Sequence, residues 1–351
     1  MRATLPVFAV LLLACGSKPS KHTPAPTQKV ATAKDPANSL TTPTSASASQ
    51  GYTELIAHNV ILRENSSLKI SVKWLRGRMY RTRPDVVPSL DKLDSFYVEV
   101  ENGRLESNLA DVSALLNSGA LKGSPLTNVR LAPQGRQIKL NGTLHRGVPI
   151  PIQLIGDIAP ASDGARVQVH VAKLDVLHIP VKGLLGALKI KTAELFDPKG
   201  AKGIQVSGDD VFFDANQILP PPHNRGKLTD IHVDEKGNLV EVFGSARPDV
   251  IRVKEWRNFM RLRGGAVEFG KLTMQNADIF IIDTSPDNWF EFDIAHYEEQ
   301  LVNGYTRITP QAGLQIFMPD IGKIPTTTAN QKISLEWMKN RNLPPPADVT
   351  P

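Results

Sequence analysis

The residues best suited to chemistry lie between Asp283 and Glu299, where acidic side chains are concentrated around one histidine, His296. Glu291 and Asp293 are two positions apart in an alternating run, so a strand would place both carboxyl groups on one face. Paired carboxylates hydrolyse glycosidic bonds when they lie about 5–9.5 Å apart. Clustered carboxylates also bind Ca²⁺.

The same alternation explains these acids without any catalytic role. Phe290, Phe292 and Ile294 occupy the opposite face of the expected strand. A strand with one buried face carries polar residues on its other face. We therefore interpret the acids as a solvated strand face, and keep hydrolysis of a cell-wall or surface polymer by the acids of residues 287–299 as a minor hypothesis.

No other stretch matches a catalytic or metal-binding motif, since the sequence lacks HExxH, GxSxG, CxxC and GxGxxG. The segment "GAVEFGKL" approaches a phosphate-binding loop, but Leu272 stands where such a loop has a hydroxyl residue after Lys271. Its other residues favour a β-strand. No pair of histidines has the spacing of a zinc site. We therefore predict a protein that is not an enzyme and has no cofactor or metal.

The single cysteine, Cys15, ends a short apolar run near the N-terminus. Arg2 precedes the run, which is shorter than the about 20 residues needed to span a bilayer, as is typical of a signal peptide. The residues "LLAC" resemble the lipobox of bacterial lipoproteins. The resemblance implies that residues 1–14 are removed and that Cys15 carries diacylglycerol and a further acyl chain such as palmitate. Membrane lipid is then the first expected partner.

An ordinary signal peptide with an incidental cysteine is the alternative interpretation. Gly16 follows Cys15, whereas the inner-membrane retention signal of enteric bacteria has Asp at that place. The resemblance therefore favours the outer membrane, on its periplasmic face. Without a second cysteine the exported part has no internal disulfide, so its stability depends on packing.

Residues 16–50 consist mainly of Pro, Ser, Thr and Ala. Such a composition cannot bury a core, which predicts a disordered tether behind the lipidated cysteine. As a flexible chain it would reach about 30–36 Å on average. Its lysines are available to anionic headgroups, and a plain soluble spacer is the alternative.

The net charge of +6 belongs mostly to the N-terminal part of the chain. Residues 1–50 hold five basic side chains and one acidic side chain, which leaves the remainder nearly neutral. Nucleic-acid binding depends on a dense basic surface. We therefore expect no nucleic-acid partner.

From residue 51 onward the dominant period of the sequence is two. The segments "SSLKISVKW", "RQIKLNGTL" and "ARVQVHVAK" alternate apolar and polar residues, and turn signals such as "ENGR", "PQGR" and "SDGA" separate such runs. This pattern is typical of an antiparallel sheet with one buried face.

Two segments have apolar residues at helical spacing instead, and a third short helix is expected at residues 333–340. The first apolar stripe consists of Leu105, Leu109, Val112, Leu115 and Leu116. The second, in "PVKGLLGALKIKTAELF", consists of Leu184, Leu185, Leu188, Leu195 and Phe196. Many strands with few helices predict an α+β fold.

The order of these elements between residues 121 and 243 is similar to bacterial members of the tubular lipid-binding (TULIP) superfamily. A strand pair with a polar turn is followed by another strand, a proline-bounded amphipathic helix and a strand that ends in "DANQILPPP". The resemblance implies a mostly antiparallel, strongly curved sheet wrapped on one or two amphipathic helices. It also implies a hollow for acyl chains, lined by the apolar face of residues 184–196. A filled core without a ligand is the alternative for that face.

The sequence thus predicts an α+β lipoprotein of the cell envelope that binds or transfers a lipid or another amphiphile. The predicted parts are a signal peptide (1–14), a lipidated cysteine and tether (15–50), a β-rich lipid-binding-like domain (51–245), a second β-rich part (246–328) and a short helix with a Pro-rich tail (329–351). The alternative is a structural lipoprotein that has a filled core and docks onto another envelope protein.

Overall fold

The computed structural model describes residues 51–63, 68–176, 192–196, 202–245, 256–285 and 287–324. The predicted signal peptide, lipidated cysteine, tether and C-terminal helix lie outside these ranges. So do Leu184, Leu185 and Leu188 of the second predicted helix.

The described residues are dominated by β-strands. The strands are β1 (Tyr52–Arg63), β2 (Lys69–Arg81), β3 (Phe96–Asn108), β4 (Leu126–Gln134), β5 (Gln137–Arg146), β6 (Val148–Pro160), β7 (Val167–Val176), β8 (Ile204–Ser207), β9 (Asp210–Phe213), β10 (His223–Gly226), β11 (Leu228–Val233), β12 (Asn238–Phe243), β13 (Phe259–Phe269), β14 (Leu272–Asp283), β15 (Phe290–Asp293), β16 (Tyr305–Ile308) and β17 (Leu314–Met318). The α-helices are α1 (Leu109–Ser118), α2 (Thr192–Leu195), α3 (Ala215–Ile218) and α4 (Tyr297–Val302). Two 3₁₀ turns, Leu93–Ser95 and Ile321–Lys323, complete the elements.

One sheet has eleven strands, in the order β11-β12-β3-β2-β1-β13-β14-β17-β16 with β10 beside β3 and β15 beside β1. Most neighbours in it are antiparallel, and the parallel pairs are β1 with β15, β3 with β10, and β14 with β17. Strand β1 pairs with β13, from Glu54 opposite Arg263 to His58 opposite Phe259. Strands from both sides of residue 245 therefore share one sheet.

The second sheet has six antiparallel strands in the order β4-β5-β6-β7-β9-β8. Its strands β4, β5, β6 and β7 follow one another as a meander, as the short polar turns of the sequence predict. Strand β11 of the large sheet contacts β5 and β6, so the two sheets are neighbours.

Each sheet has its own hydrophobic core. Val60, Ile279 and Phe290 are fully buried in the core of the large sheet. Leu144 and Ile152 are fully buried in that of the small sheet. Burial of such a side chain stabilises the fold by about 1.5–3 kcal/mol relative to exposure. The alternation in the sequence places these apolar side chains on one face of each sheet, where they are buried.

Helix α1 docks on β4, the edge strand of the small sheet. The Asn108 side chain caps the helix by accepting a hydrogen bond from the backbone N–H of Ala110, 2.8 Å away. Asn117 bonds both backbone groups of Val129, at 2.9 and 2.8 Å. Because these bonds occupy edge groups that lack a strand partner, they fix the helix on the sheet.

The β-rich, mostly antiparallel prediction is confirmed, whereas the predicted amphipathic helices are described only in part. The first predicted stripe is helical from Leu109 onward, but Leu105 lies in β3. Of the second, the described part is the short α2. No described helix is long and apolar enough to cross a membrane. The described residues thus form a β-dominant fold.

Candidate functional site

An apolar cavity of about 170 Å³ lies between the two sheets. Its wall is built from β2, β3 and β12 of the large sheet, from five strands of the small sheet, and from α1 and α3. Val112 and Leu115 of α1 line the cavity, placed there by the bonds between the helix and β4. Among the described residues that line it, Ser107 and Glu241 are the polar ones.

A second apolar cavity, of about 130 Å³, lies against the large sheet. Strands β1, β2, β3, β13, β14 and β15 contribute to its wall, and Asn224 is its one polar residue within the described ranges. Ile70 and Leu219 line both cavities. The two cavities are therefore neighbours, separated by these two side chains.

The segment of residues 214–222 joins the small sheet to the large one and lies along both cavities. Ala215 and Ile218 line the first cavity, while Pro220 and Pro222 line the second. At the start of this segment the Asp214 side chain accepts a hydrogen bond from the backbone N–H of Asn216 at 3.0 Å. The segment thus forms a strap that passes over the boundary between the cavities.

Gly203 allows the strap to approach the small sheet closely. Its φ of +74° lies in the left-handed region, and a Cβ there would be 2.9 Å from Gln217 Cβ and 2.9 Å from Ile218 Cγ1. The backbone N–H of Asp214 also donates to the Gly203 carbonyl at 2.8 Å. Glycine is the residue that satisfies both the backbone angle and the contact.

Unfilled cavities of this size are costly in a folded protein. Side chains that line an unfilled space lack packing partners on that side and lose the dispersion contacts that a filled core provides. Cavities with apolar walls exclude water and accept apolar molecules such as benzene. The arrangement is therefore chemically suited to an apolar guest.

Glu241 is the one charged residue among the described residues that line either cavity. Leu239 and Glu241 face the first cavity from β12, while Val240 and Val242 are buried on the other side of the strand. In the sheet Glu241 is paired with Leu105 of β3, which lines the second cavity. Glu241 therefore lines the first cavity beside its boundary with the second.

Burial raises the pKa of Glu241 from its ordinary value of 4.5 to about 7. Glu241 is half-buried and lies along an apolar cavity, whose walls desolvate its carboxyl group. Burial is the one cause of the shift, and no described group donates a hydrogen bond to the carboxyl or pairs with it. The carboxyl thus lacks a partner within the described part of the chain.

Of the predicted lipid-binding face, the structure describes Leu195 and Phe196, and these two residues differ in their relation to the first cavity. Phe196 lines it and packs edge-on against Phe213, with ring centroids 6.3 Å apart. Leu195 is fully buried in the core of the small sheet and is not part of the cavity wall. The positions of Leu184, Leu185 and Leu188 lie outside the described residues.

The acidic residues of β15 have structural partners. Glu291 forms an ion pair with Arg63 of the neighbouring strand β1. Asp293 accepts hydrogen bonds from the backbone N–H groups of Ala295 and His296, each at 3.0 Å, and so shapes the turn before α4. These contacts account for both carboxylates without a ligand.

Asp283 and Asp320 are buried carboxyl groups near this strand. Burial raises the pKa of Asp283 to about 6, although Asn258 donates to its Oδ2 at 2.9 Å. Burial also raises the pKa of Asp320, whose Oδ1 accepts from the backbone N–H of Glu291 at 2.7 Å. In the part of the chain that the structure describes, no group of three or more His, Cys, Asp or Glu side chains could hold a metal ion.

Sequence reasoning missed Glu241, although a signal was present. In "LVEVF", the residues on both sides of Glu241 are apolar at consecutive positions, which indicates a strand buried on both faces. A lone carboxylate in such a strand is a candidate for a functional group, because burying it without a partner is costly.

The described residues therefore define a two-sheet β-protein with neighbouring apolar cavities between and beneath its sheets. Comparison of the chain with protein families, curated proteins and solved structures finds no match.

Proposed function

We propose that this protein binds an amphiphile whose apolar groups occupy the two neighbouring cavities. The observation that carries the proposal is the pair of cavities, of about 170 and 130 Å³, with almost wholly apolar walls. A cavity of about 150 Å³ accepts a molecule of six carbons. Two such neighbouring cavities together suit apolar groups of about twelve carbons in all.

The resemblance of Cys15 and its surroundings to a lipobox supports a membrane-anchored version of this function. A protein tethered by acyl chains at the outer membrane would exchange its ligand with the adjacent bilayer. The anchoring is tested by the mass of the mature N-terminus and by Cys15→Ser, which should release the protein from membrane fractions. A mature N-terminus without acyl mass would contradict the proposed anchor.

Ligand binding is tested with N-phenyl-1-naphthylamine, a neutral apolar probe that fluoresces in apolar surroundings, added to the purified full chain. Ile218→Trp places a bulky side chain from the strap into the first cavity and should weaken probe binding about tenfold or more. Gln217→Trp is the matched control, because Gln217 is exposed on the same short helix. Native mass spectrometry of the purified chain should also detect a co-purified amphiphile.

Failure of the wild-type chain to bind the probe would overturn the proposal, as would equal loss of binding in both tryptophan variants. A structural lipoprotein with a filled core would give the first of these results.

A further inference from the structure

The carboxyl group of Glu241 in the wall of the first cavity is not explained by a purely apolar ligand. A strand with Val240 and Val242 buried on one side would accept an apolar residue at this place as well. The neighbours of Glu241 across the sheet, Leu105 and then Val72, are apolar. The cross-strand neighbours of the carboxyl group thus cannot solvate it.

An unpaired carboxylate in apolar surroundings is unstable and gains most from a cation or an N–H donor. Within the described residues, neither cavity has a Lys, Arg or His side chain in its wall. Ser107, the other polar residue of the first cavity, is a single hydroxyl group. A charged partner for Glu241 would therefore come from the bound ligand.

We propose that Glu241 selects guests that carry an amine on an apolar chain, with the ammonium group paired to its carboxylate inside the first cavity. This inference rests on the proposed function and specifies the class of amphiphile. A negatively charged head would be repelled at this position, and a hydroxyl group would gain a weaker hydrogen bond than an ammonium group.

The position of the carboxyl group also predicts where the amine lies relative to the apolar groups of the ligand. Since Glu241 lies beside the boundary of the two cavities, an amine paired to it leaves space for apolar groups on both sides. A chain attached on one side is sufficient for binding, and a second apolar group would fill the other cavity.

The test is isothermal titration calorimetry of the full chain with decylamine, decanol and decanoate at micromolar concentrations and pH 7.5. These probes share a chain length and differ in the head group. Wild type should bind decylamine about tenfold or more tightly than decanol, since hydrogen bonds to charged groups are the strong ones. Decanoate should bind most weakly.

In Glu241→Gln the preference for decylamine over decanol should fall to about twofold or less, while decanol affinity is retained. Glu235→Gln is the matched control, because it removes the same charge from an exposed turn of the same hairpin. Retained decanol binding also shows that the Gln variant is folded.

Equal binding of decylamine and decanol by wild type, or an unchanged preference in Glu241→Gln, would overturn the inference and leave the proposed function standing. Binding of none of the three probes would overturn both.

Discussion

Replacement of Glu241 by Gln should make the stability of the protein less dependent on pH. Gln keeps the shape of the side chain and cannot ionise. In the wild type, burial raises the pKa of Glu241 to about 7, against 4.5 for the same group in an unfolded chain. Folding of the wild type therefore favours the protonated carboxyl.

The sign and size of the effect follow from this difference. Below pH 4.5 the carboxyl is protonated in both states, so its titration has no effect on stability. Between pH 4.5 and about 7 the unfolded chain loses the proton first, so the contribution of Glu241 makes the wild type less stable as the pH rises. At about 1.4 kcal/mol per pKa unit, the loss above pH 7 reaches about 3 kcal/mol. The stability of Glu241→Gln relative to wild type should rise by that amount.

The assay is urea-induced unfolding of both proteins from pH 4 to pH 9, followed by tryptophan fluorescence. Glu235→Gln serves as the control and should follow the wild-type profile. A difference between Glu241→Gln and wild type that stays constant within about 0.5 kcal/mol across this range would refute the reasoning. It would mean that the carboxylate of Glu241 is solvated in the folded protein and that the cavity is wet.

Two further predictions concern the strap and the acidic cluster. Gly203→Ala should lower the free energy of unfolding, measured with urea, by about 1–3 kcal/mol more than Gly208→Ala does. Both glycines have positive φ, but of the two only Gly203 contacts the strap. Equal losses in the two variants would contradict the contact. As the pH rises from 4 to 6, Asp283 ionises in the unfolded chain before the folded one, so its contribution lowers the stability of the wild type. Over that interval the stability of Asp283→Asn relative to wild type should rise by about 2 kcal/mol. Parallel pH profiles for the two proteins would count against burial as the cause of the raised pKa.

Much of the secondary structure was predictable because it depends on local patterns. In "WFEFDIAH" the alternation placed Phe290 and Phe292 on one face, and both are buried in β15 while Glu291 and Asp293 lie on the other face. The segment "GAVEFGKL" forms the end of β13 and the turn into β14, as its strand-like residues indicated. Leu105 was misassigned to a helix because a period of two and a period of 3.6 overlap over so short a stretch.

The candidate site was predictable only in part. Phe196 lines the first cavity, whereas Leu195, which has the same helical spacing, is fully buried in the core of the small sheet and is not part of the cavity wall. Spacing identifies an apolar face and carries no information on whether the space opposite that face is filled. Glu241 was missed because a single acid in a short strand is usually solvated, and the consecutive apolar residues on both sides of it, which indicate burial of both faces, were not weighed.

The sequence by itself determined which segments form strands and which side chains avoid water, because both depend on neighbours within a few residues. The tertiary structure decided how distant segments combine: β1 pairs with β13 about two hundred residues away, and the strap crosses from one sheet to the other. Those long-range pairings leave space between the sheets and place the carboxyl group of Glu241 beside it. Long-range pairing depends on the summed fit of many side chains, which no local pattern in the chain encodes.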